Sequence, residues 1–185
     1  MFIDPNNFQF TVTLEDNWKQ ILQELSNLDE ESFQPWIQKQ MYEQGWTIYP
    51  LFAFGEAVTV GSVKCPITAE IIRNIPGLSL AGFSRLSART HVKPHVGWAH
   101  TVYRLHLGLV VPEQCSLRVG NETREWYEGK CLIFDDTVEH EAWNNSDYDR
   151  TVLLIDFLRP GVKSVNDEYM PEEVRMLANK LLKQR

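Results

Sequence analysis

Two periodicities divide this chain. Near its start, Leu14, Trp18, Ile21, Leu22 and Leu25 recur at helical spacing behind Thr13-Leu14-Glu15-Asp16, a segment with the make-up of a capping box. A second helix is predicted over 30–44, with Phe33, Trp36, Ile37 and Met41 on one side and Gly45 as its stop. The β-formers of Trp46-Thr47-Ile48-Tyr49-Pro50-Leu51-Phe52-Ala53-Phe54 then predict a strand, and Pro66 opens a short helix over 67–75 that Pro76-Gly77 closes. From residue 78 the period shortens to two. Strands are predicted over 78–88, 91–96, 101–111, 116–119, 124–127, 130–134 and 150–158, with Gly120-Asn121-Glu122 as a hairpin tip and Glu128-Gly129 as a turn. Short strands between turn residues predict a sandwich or barrel, and a last amphipathic helix over 171–183 places Val174, Leu177, Ala178 and Leu181 on one face. The expectation is a mainly β fold with flanking helices.

Polar residues interrupt these strands in a regular way. Alternate residues share a face, so Arg104 and His106 point with Val102 and Gly108, away from Tyr103, Leu105, Leu107 and Leu109. Arg150 likewise shares a face with Val152 and Leu154, where a cation is costly unless it meets an anion. A small anionic ligand would satisfy it. Each histidine taken alone is more often a core or surface residue than a ligand. His91 and His95 have the spacing of a helical metal pair, but Pro94, Gly97 and the neighbouring valines argue against a helix, so His91 is set aside; His100 reads as structural or peripheral. His95 and His140 each fall at a strand edge, the arrangement by which a barrel brings two imidazoles onto one metal. Asp135-Asp136 is open to three readings: a metal carboxylate, a partner orienting a histidine, or a polar turn after Leu132-Ile133-Phe134. Spacing alone favours the turn. No nucleophile elbow and no phosphate-cradling glycine loop are present.

Composition narrows the function classes. At 185 residues and 43% hydrophobic, the chain fits one compact domain. A net charge of −7 with scattered acids argues against a nucleic-acid partner. Cys65, Cys115 and Cys131 lie far apart with no Cys-x-x-Cys pair, which predicts buried thiols in a reducing compartment. The amino end lacks a signal-like apolar core and no uncharged run approaches a bilayer span, so a soluble cytoplasmic protein with no membrane partner is expected. Asn121-Glu122-Thr123 and Asn144-Asn145-Ser146 match the glycosylation pattern, but without a secretion signal the matches carry little weight.

Several segments occur together in one order: Ser84, Pro94-His95-Val96-Gly97, Arg104-Leu105-His106-Leu107-Gly108-Leu109, Trp126-Tyr127-Glu128-Gly129-Lys130, Phe134-Asp135-Asp136-Thr137, Glu139-His140-Glu141-Ala142-Trp143-Asn144 and Arg150. Over residues 65–160 this set resembles the aspartyl/asparaginyl β-hydroxylase family. The resemblance implies a double-stranded β-helix, a cupin-like jelly roll, and an oxygenase dependent on iron(II), 2-oxoglutarate and dioxygen, with ascorbate as a helpful reductant. It implies one catalytic domain over 1–185: a helical and strand support over 1–77, the β-helix over 78–160 and a C-terminal helix within 161–185. By residue-wise transfer, His95 and His140 would hold the iron. Ser84 and Arg150 would bind the distal carboxylate of 2-oxoglutarate, and Arg104 and His106 the carboxylate nearer the metal; an arginine fork suits such a diacid. Asp135 or Asp136 would act from just outside the ligand set. Gly97 stands where most such oxygenases carry a third, carboxylate ligand, a departure this family shares.

The implied substrate is an amino acid, an aspartyl or asparaginyl residue in a peptide, or a related small soluble molecule. Val102 stands where the animal enzymes carry a basic residue facing the substrate, which weakens the case for an acidic side chain. The chain is expected to lack the membrane anchor and helical repeats that accompany the domain in those enzymes. The alternative is a non-catalytic jelly roll that binds a small acid as a sensor.

Overall fold

The computed structural model describes residues 1–165 and 168–183. In chain order its elements are β1 (Phe2–Ile3), α1 (Phe10–Asp16), α2 (Trp18–Ser26), β2 (Gln34–Pro35), β3 (Trp46–Ala53), β4 (Glu56–Ala57), α3 (Thr59–Lys64), α4 (Pro66–Arg73), β5 (Leu78–Leu86), β6 (Thr90–His95), β7 (Val102–Val110), β8 (Cys115–Val119), β9 (Glu122–Glu125), β10 (Cys131–Phe134), β11 (His140–Asn144), β12 (Arg150–Leu158) and α5 (Glu172–Lys183). The larger sheet runs β1-β10-β7-β12-β5-β3-β2 with β4 paired to β3, and the smaller runs β6-β11-β8-β9. Parts of the expected segment 161–185, namely 166–167 and 184–185, lie outside the described residues.

The period-two pattern sorts each long strand of the larger sheet between two cores. Leu105, Leu107 and Leu109 of β7 and Leu153, Ile155 and Phe157 of β12 are buried in one core, together with Leu14, Ile21 and Leu25 of α1 and α2 and Ile72 of α4. Complete burial of such a side chain stabilises by about 1.5–3 kcal/mol, so this face anchors the helices. The alternate residues face the smaller sheet, where Leu86, Phe134, Val152 and Leu154 meet Val92, Leu117, Val119 and Ala142 in a second core. Arg104, His106 and Arg150 share that inner parity, so the polar residues point between the sheets. The architecture is the expected jelly roll with helices outside.

Buried polar links fix the helices. The Glu24 carboxylate of α2 accepts from the Ile67 and Thr68 backbone N–H groups, each at 2.8 Å, and so caps the start of α4. Helix α5 packs on β3 through a small cluster of Ala53, Val58, Ala178 and Leu181. Cys65, Cys115 and Cys131 are free and buried, as expected. No helix among the described residues is long and apolar enough to cross a membrane.

Three expectations about elements are corrected. Residues 30–44 do not form a helix: they hold short turns of 3-10 helix around β2, because Pro35 cannot continue a helix and Gln34 and Pro35 pair with Ile48 and Thr47. Thr13 caps nothing. It lies inside α1, which ends at Asp16 before α2 begins at Trp18. A strand not predicted, β11, carries His140 and forms the middle of the smaller sheet, paired to both β6 and β8.

Candidate active site

His95 ends β6 and His140 begins β11, and the register sets the two residues directly opposite each other. Their ring centroids are 4.2 Å apart. Nδ1 of His95 lies 2.7 Å from the Lys93 carbonyl and Nδ1 of His140 lies 2.9 Å from the Val138 carbonyl. A carbonyl only accepts, so each Nδ1 carries the proton and donates it, leaving both Nε2 lone pairs unprotonated. Burial lowers both pKa values; that of His140 falls to about 3, with the neighbouring His95 adding to the effect. Two neutral imidazoles at this separation are a donor set suited to a divalent transition metal.

A carboxylate adjoins this pair. Asp136 Oδ1 is 3.3 Å from His140 Nε2 and 2.7 Å from Arg104 Nη1. Its side chain fills the space beside Gly97: a Cβ on Gly97 would stand 1.5 Å from Asp136 Oδ2. The Gly97 N–H donates to the Asp136 carbonyl at 2.8 Å. Glycine at 97 is thus what admits the aspartate at 136. Asp135 points elsewhere, accepting from the Thr137 N–H at 3.0 Å and pairing with Arg159 at 2.5 Å. Burial works to raise the Asp135 pKa, but Thr137 and Arg159 hold it below the usual range. The turn reading therefore suits Asp135, while its neighbour faces the histidines.

Arg104 reaches this wall already engaged. Besides Asp136, its Nε and Nη2 each donate to Asp156 at 2.8 Å, a bidentate pair set by the cross-strand register of Asp156 with Arg104. Burial opposes its charge, but Asp136 and Asp156 raise its pKa above the ordinary value.

The other end of the recess is different. Arg150 is 2% exposed, yet it forms no ion pair among the described residues, and its Nε has no partner. Nη1 donates only a long 3.4 Å bond to the Ser84 carbonyl, and the guanidinium lies 4.4 Å from the Trp126 ring centroid. Burial lowers its pKa to about 10. The Trp126 indole N–H donates to His106 Nδ1 at 3.2 Å. Indole is a donor only, so neutral His106 carries its proton on Nε2, a buried atom with no partner. Burial, then Arg150 and Arg104, push the His106 pKa well below its ordinary value. The Ser84 hydroxyl accepts from the Trp46 indole N–H at 3.1 Å. Arg150, His106, Ser84 and Trp46 line a narrow recess that also reaches His95 and His140. An unpaired buried cation beside an unpartnered N–H is a cradle for a carboxylate.

Residues 15–160 match the sequence profile of the Aspartyl/Asparaginyl beta-hydroxylase family. The chain belongs to this family. The match begins 50 residues before the stretch that carried the resemblance, and so takes in α2 and β3 as part of the aspartyl/asparaginyl β-hydroxylase domain. Among relatives, the chain is 44% identical over 118 residues to an ornithine lipid ester-linked acyl 2-hydroxylase of Rhizobium tropici, covering 62% of this chain and 42% of the relative. It is 32% identical over 174 residues to the human aspartyl/asparaginyl beta-hydroxylase, covering 89% of this chain and 22% of that protein. The chain thus spans less than half the length of either. Of solved structures, a prolyl-4-hydroxylase from Pseudomonas putida aligns with a TM-score of 0.53 at 16% identity, over 83% of this chain and all of that one, and shares the fold.

The structure gathers Ser84, His95, Arg104, His106, His140 and Arg150 around one recess and sets Asp136 beside it. His91 lies outside it, with Nε2 2.9 Å from Glu141 and its ring stacked on Trp143. Sequence reasoning did not single out Asp156 and Trp46, and gave no separate role to Trp126. For Asp156 a signal existed: it is a carboxylate of the same strand parity as Arg150 in an otherwise apolar run.

Proposed function

We propose that this chain is an iron(II)- and 2-oxoglutarate-dependent hydroxylase. The observation that carries the reading is the division of labour in one recess: two Nε2 lone pairs on one wall, an unpaired Arg150 guanidinium and an unpartnered His106 N–H on the other. Both features fit the absent groups, the imidazole pair a divalent iron and the cation a dicarboxylate. When bound, they supply the oxidation: one oxygen atom of dioxygen enters a substrate C–H bond as hydroxyl, and the other enters the succinate left when 2-oxoglutarate loses carbon dioxide.

The chain's own residues set the geometry. The backbone carbonyls of Lys93 and Val138 hold the two imidazoles in the tautomer that offers Nε2. Arg150 and Ser84 meet the distal carboxylate, and Trp126 both covers the Arg150 guanidinium and fixes the His106 proton on the cavity side. Arg104 lines the recess near the metal pair, and Asp156 fixes the plane of its guanidinium. Asp136 places a buried carboxylate 3.3 Å from the His140 Nε2 that would hold the iron.

Anaerobic titration with iron(II), followed by assay of succinate from 2-oxoglutarate, tests the reading. Iron uptake and succinate release are expected from the native chain and neither from His95→Ala or His140→Ala. Unchanged metal binding in both variants would refute the assignment, and binding of 2-oxoglutarate without turnover under any condition would make the chain a sensor instead.

A further inference from the structure

The face of the larger sheet turned away from the histidines carries a second polar recess. Tyr49 has the opposite strand parity to Trp46: Trp46 lines the histidine recess, whereas the Tyr49 ring packs in the helix-covered core against Phe33 and Phe83, at centroid distances of 5.7 and 6.2 Å. Tyr49 is 4% exposed, yet its hydroxyl makes no hydrogen bond among the described residues. The residue lines a cavity of about 240 Å³ between α3 and the turn over 28–34, which shares no lining residue with the histidine recess. Burial, then Cys65 and Asp29, push the Tyr49 pKa up to about 12, which sets the hydroxyl on the Asp29 side of the cavity and keeps it protonated at neutral pH. It is a donor without an acceptor.

The walls are fixed in place. The Val58 N–H donates to the Leu51 carbonyl at 2.9 Å, and a Cβ on Gly61 would stand 2.1 Å from the Pro50 carbonyl oxygen, so α3 is pressed onto β3. On the other side, Phe33 is buried against Tyr49 and Glu30 pairs with Arg85, which ties the 28–34 turn to the sheet. Lys64 of α3 and Asp29 and Glu31 of the turn all line the cavity, and none of the three forms an ion pair among the described residues. Opposite charges thus border one space without closing on each other. Leu28, Val58 and Leu181 supply an apolar floor. A hydroxyl donor, an ammonium and two carboxylates around such a floor complement a molecule that itself carries both charges. The space is below the roughly 300–1,000 Å³ of drug-sized pockets, which suits a small metabolite.

We propose that this cavity binds a zwitterionic aliphatic α-amino acid, with its carboxylate at Tyr49 and Lys64, its ammonium at Asp29 and Glu31, and its side chain on Leu28, Val58 and Leu181. The site goes beyond the hydroxylase reading and does not depend on it, because it lies on the opposite face of the sheet from the histidines.

Isothermal titration of the metal-free chain tests this with three probes: L-leucine, 3-methylbutylamine, which lacks its carboxylate, and 4-methylpentanoate, which lacks its amine. Leucine should bind saturably, and each singly charged analogue about tenfold more weakly or worse. Tyr49→Phe keeps the ring against Phe33 and Phe83, so its thermal midpoint should match that of the parent. It should nevertheless weaken leucine by about tenfold or more, the loss expected for a hydrogen bond to a charged group. Lys64→Gln should weaken leucine and 4-methylpentanoate but spare the amine. Asp29→Asn combined with Glu31→Gln should weaken leucine and the amine but spare the acid. No saturable heat from leucine up to about 10 mM overturns the inference. So does leucine affinity unchanged in Tyr49→Phe, which would put the amino acid elsewhere on the chain, the histidine recess included.

Discussion

Replacing Arg150 by methionine tests the site through stability as well as affinity. The side chain keeps much of its length and loses its charge. In the ligand-free chain this guanidinium is buried with no ion pair among the described residues, and burial lowers its pKa from 12.5 to about 10. At about 1.4 kcal/mol per pKa unit, that shift corresponds to roughly 3 kcal/mol of folding free energy set against the native state at neutral pH. Arg150→Met should therefore leave the ligand-free protein at least as stable as the parent and by up to about 3 kcal/mol more so, read from urea midpoints at pH 7 with an unchanged slope. Affinity for 2-oxoglutarate should move the opposite way, by about 2–5 kcal/mol, or thirtyfold and more, since one partner of a desolvated charge pair is lost. The two effects meet in one titration. Near a hundredfold excess over the parent's Kd, 2-oxoglutarate should stabilise the parent by about 2.7 kcal/mol and the variant by about 1 kcal/mol or less. A variant that unfolds earlier than the parent without ligand, yet gains the same stabilisation from 2-oxoglutarate, would refute the argument, because Arg150 would then be a structural residue with a partner.

Two further outcomes follow from the histidine wall. Gly97→Asp, which restores a carboxylate where most such oxygenases carry one, should destabilise the chain by about 1–3 kcal/mol or more, because its Cβ would stand 1.5 Å from Asp136 Oδ2; adding Asp136→Gly should recover stability and iron(II) binding, and a single variant as stable as the parent would disprove the steric account. Acid should unfold the metal-free chain through His140: with a folded pKa of about 3 against 6.5 unfolded, its contribution is complete above pH 6.5 and is lost as pH falls toward 3, at up to about 1.4 kcal/mol per pH unit. His140→Phe removes that titration and should lower the acid midpoint followed by circular dichroism; a midpoint that does not move would show that other groups govern acid unfolding.

Where the sequence was legible, one physical pattern was at work. The side-chain period of two along β7 and β12 assigns Leu105 and Leu153 to the helix-covered core and Arg104, His106 and Arg150 to the space between sheets. β11 escaped because its outward residues, Glu141 and Trp143, are held by Arg118 and His91 of neighbouring strands, so its polarity does not alternate in the ordinary sense. The false helix over 30–44 came from a chance 3.6-residue spacing of aromatics; Trp36 is apolar in order to stack on Trp46, and Pro35 was the stronger signal. Asn144 matched a glycosylation pattern, but it is fully buried and donates to the carbonyls of Leu86, Ser87 and Tyr148, tying the β11–β12 turn to β5. The parity of Asp156 marked it as facing between the sheets, but only the pairing of β12 with β7 shows that its partner is Arg104.

The carbonyls of Lys93 and Val138 belong to the main chain, and each lies two residues before the histidine it orients. The identity of the nitrogen offered to a metal is therefore written into the local backbone path. Exchanging the side chains of Lys93 or Val138 leaves the carbonyl in place, so those positions are free to drift without scrambling the tautomer. A change in the local backbone path over 93–95 or 138–140 would do so. Descendants of this chain have correspondingly wide latitude to alter the surroundings of the site while keeping its chemistry.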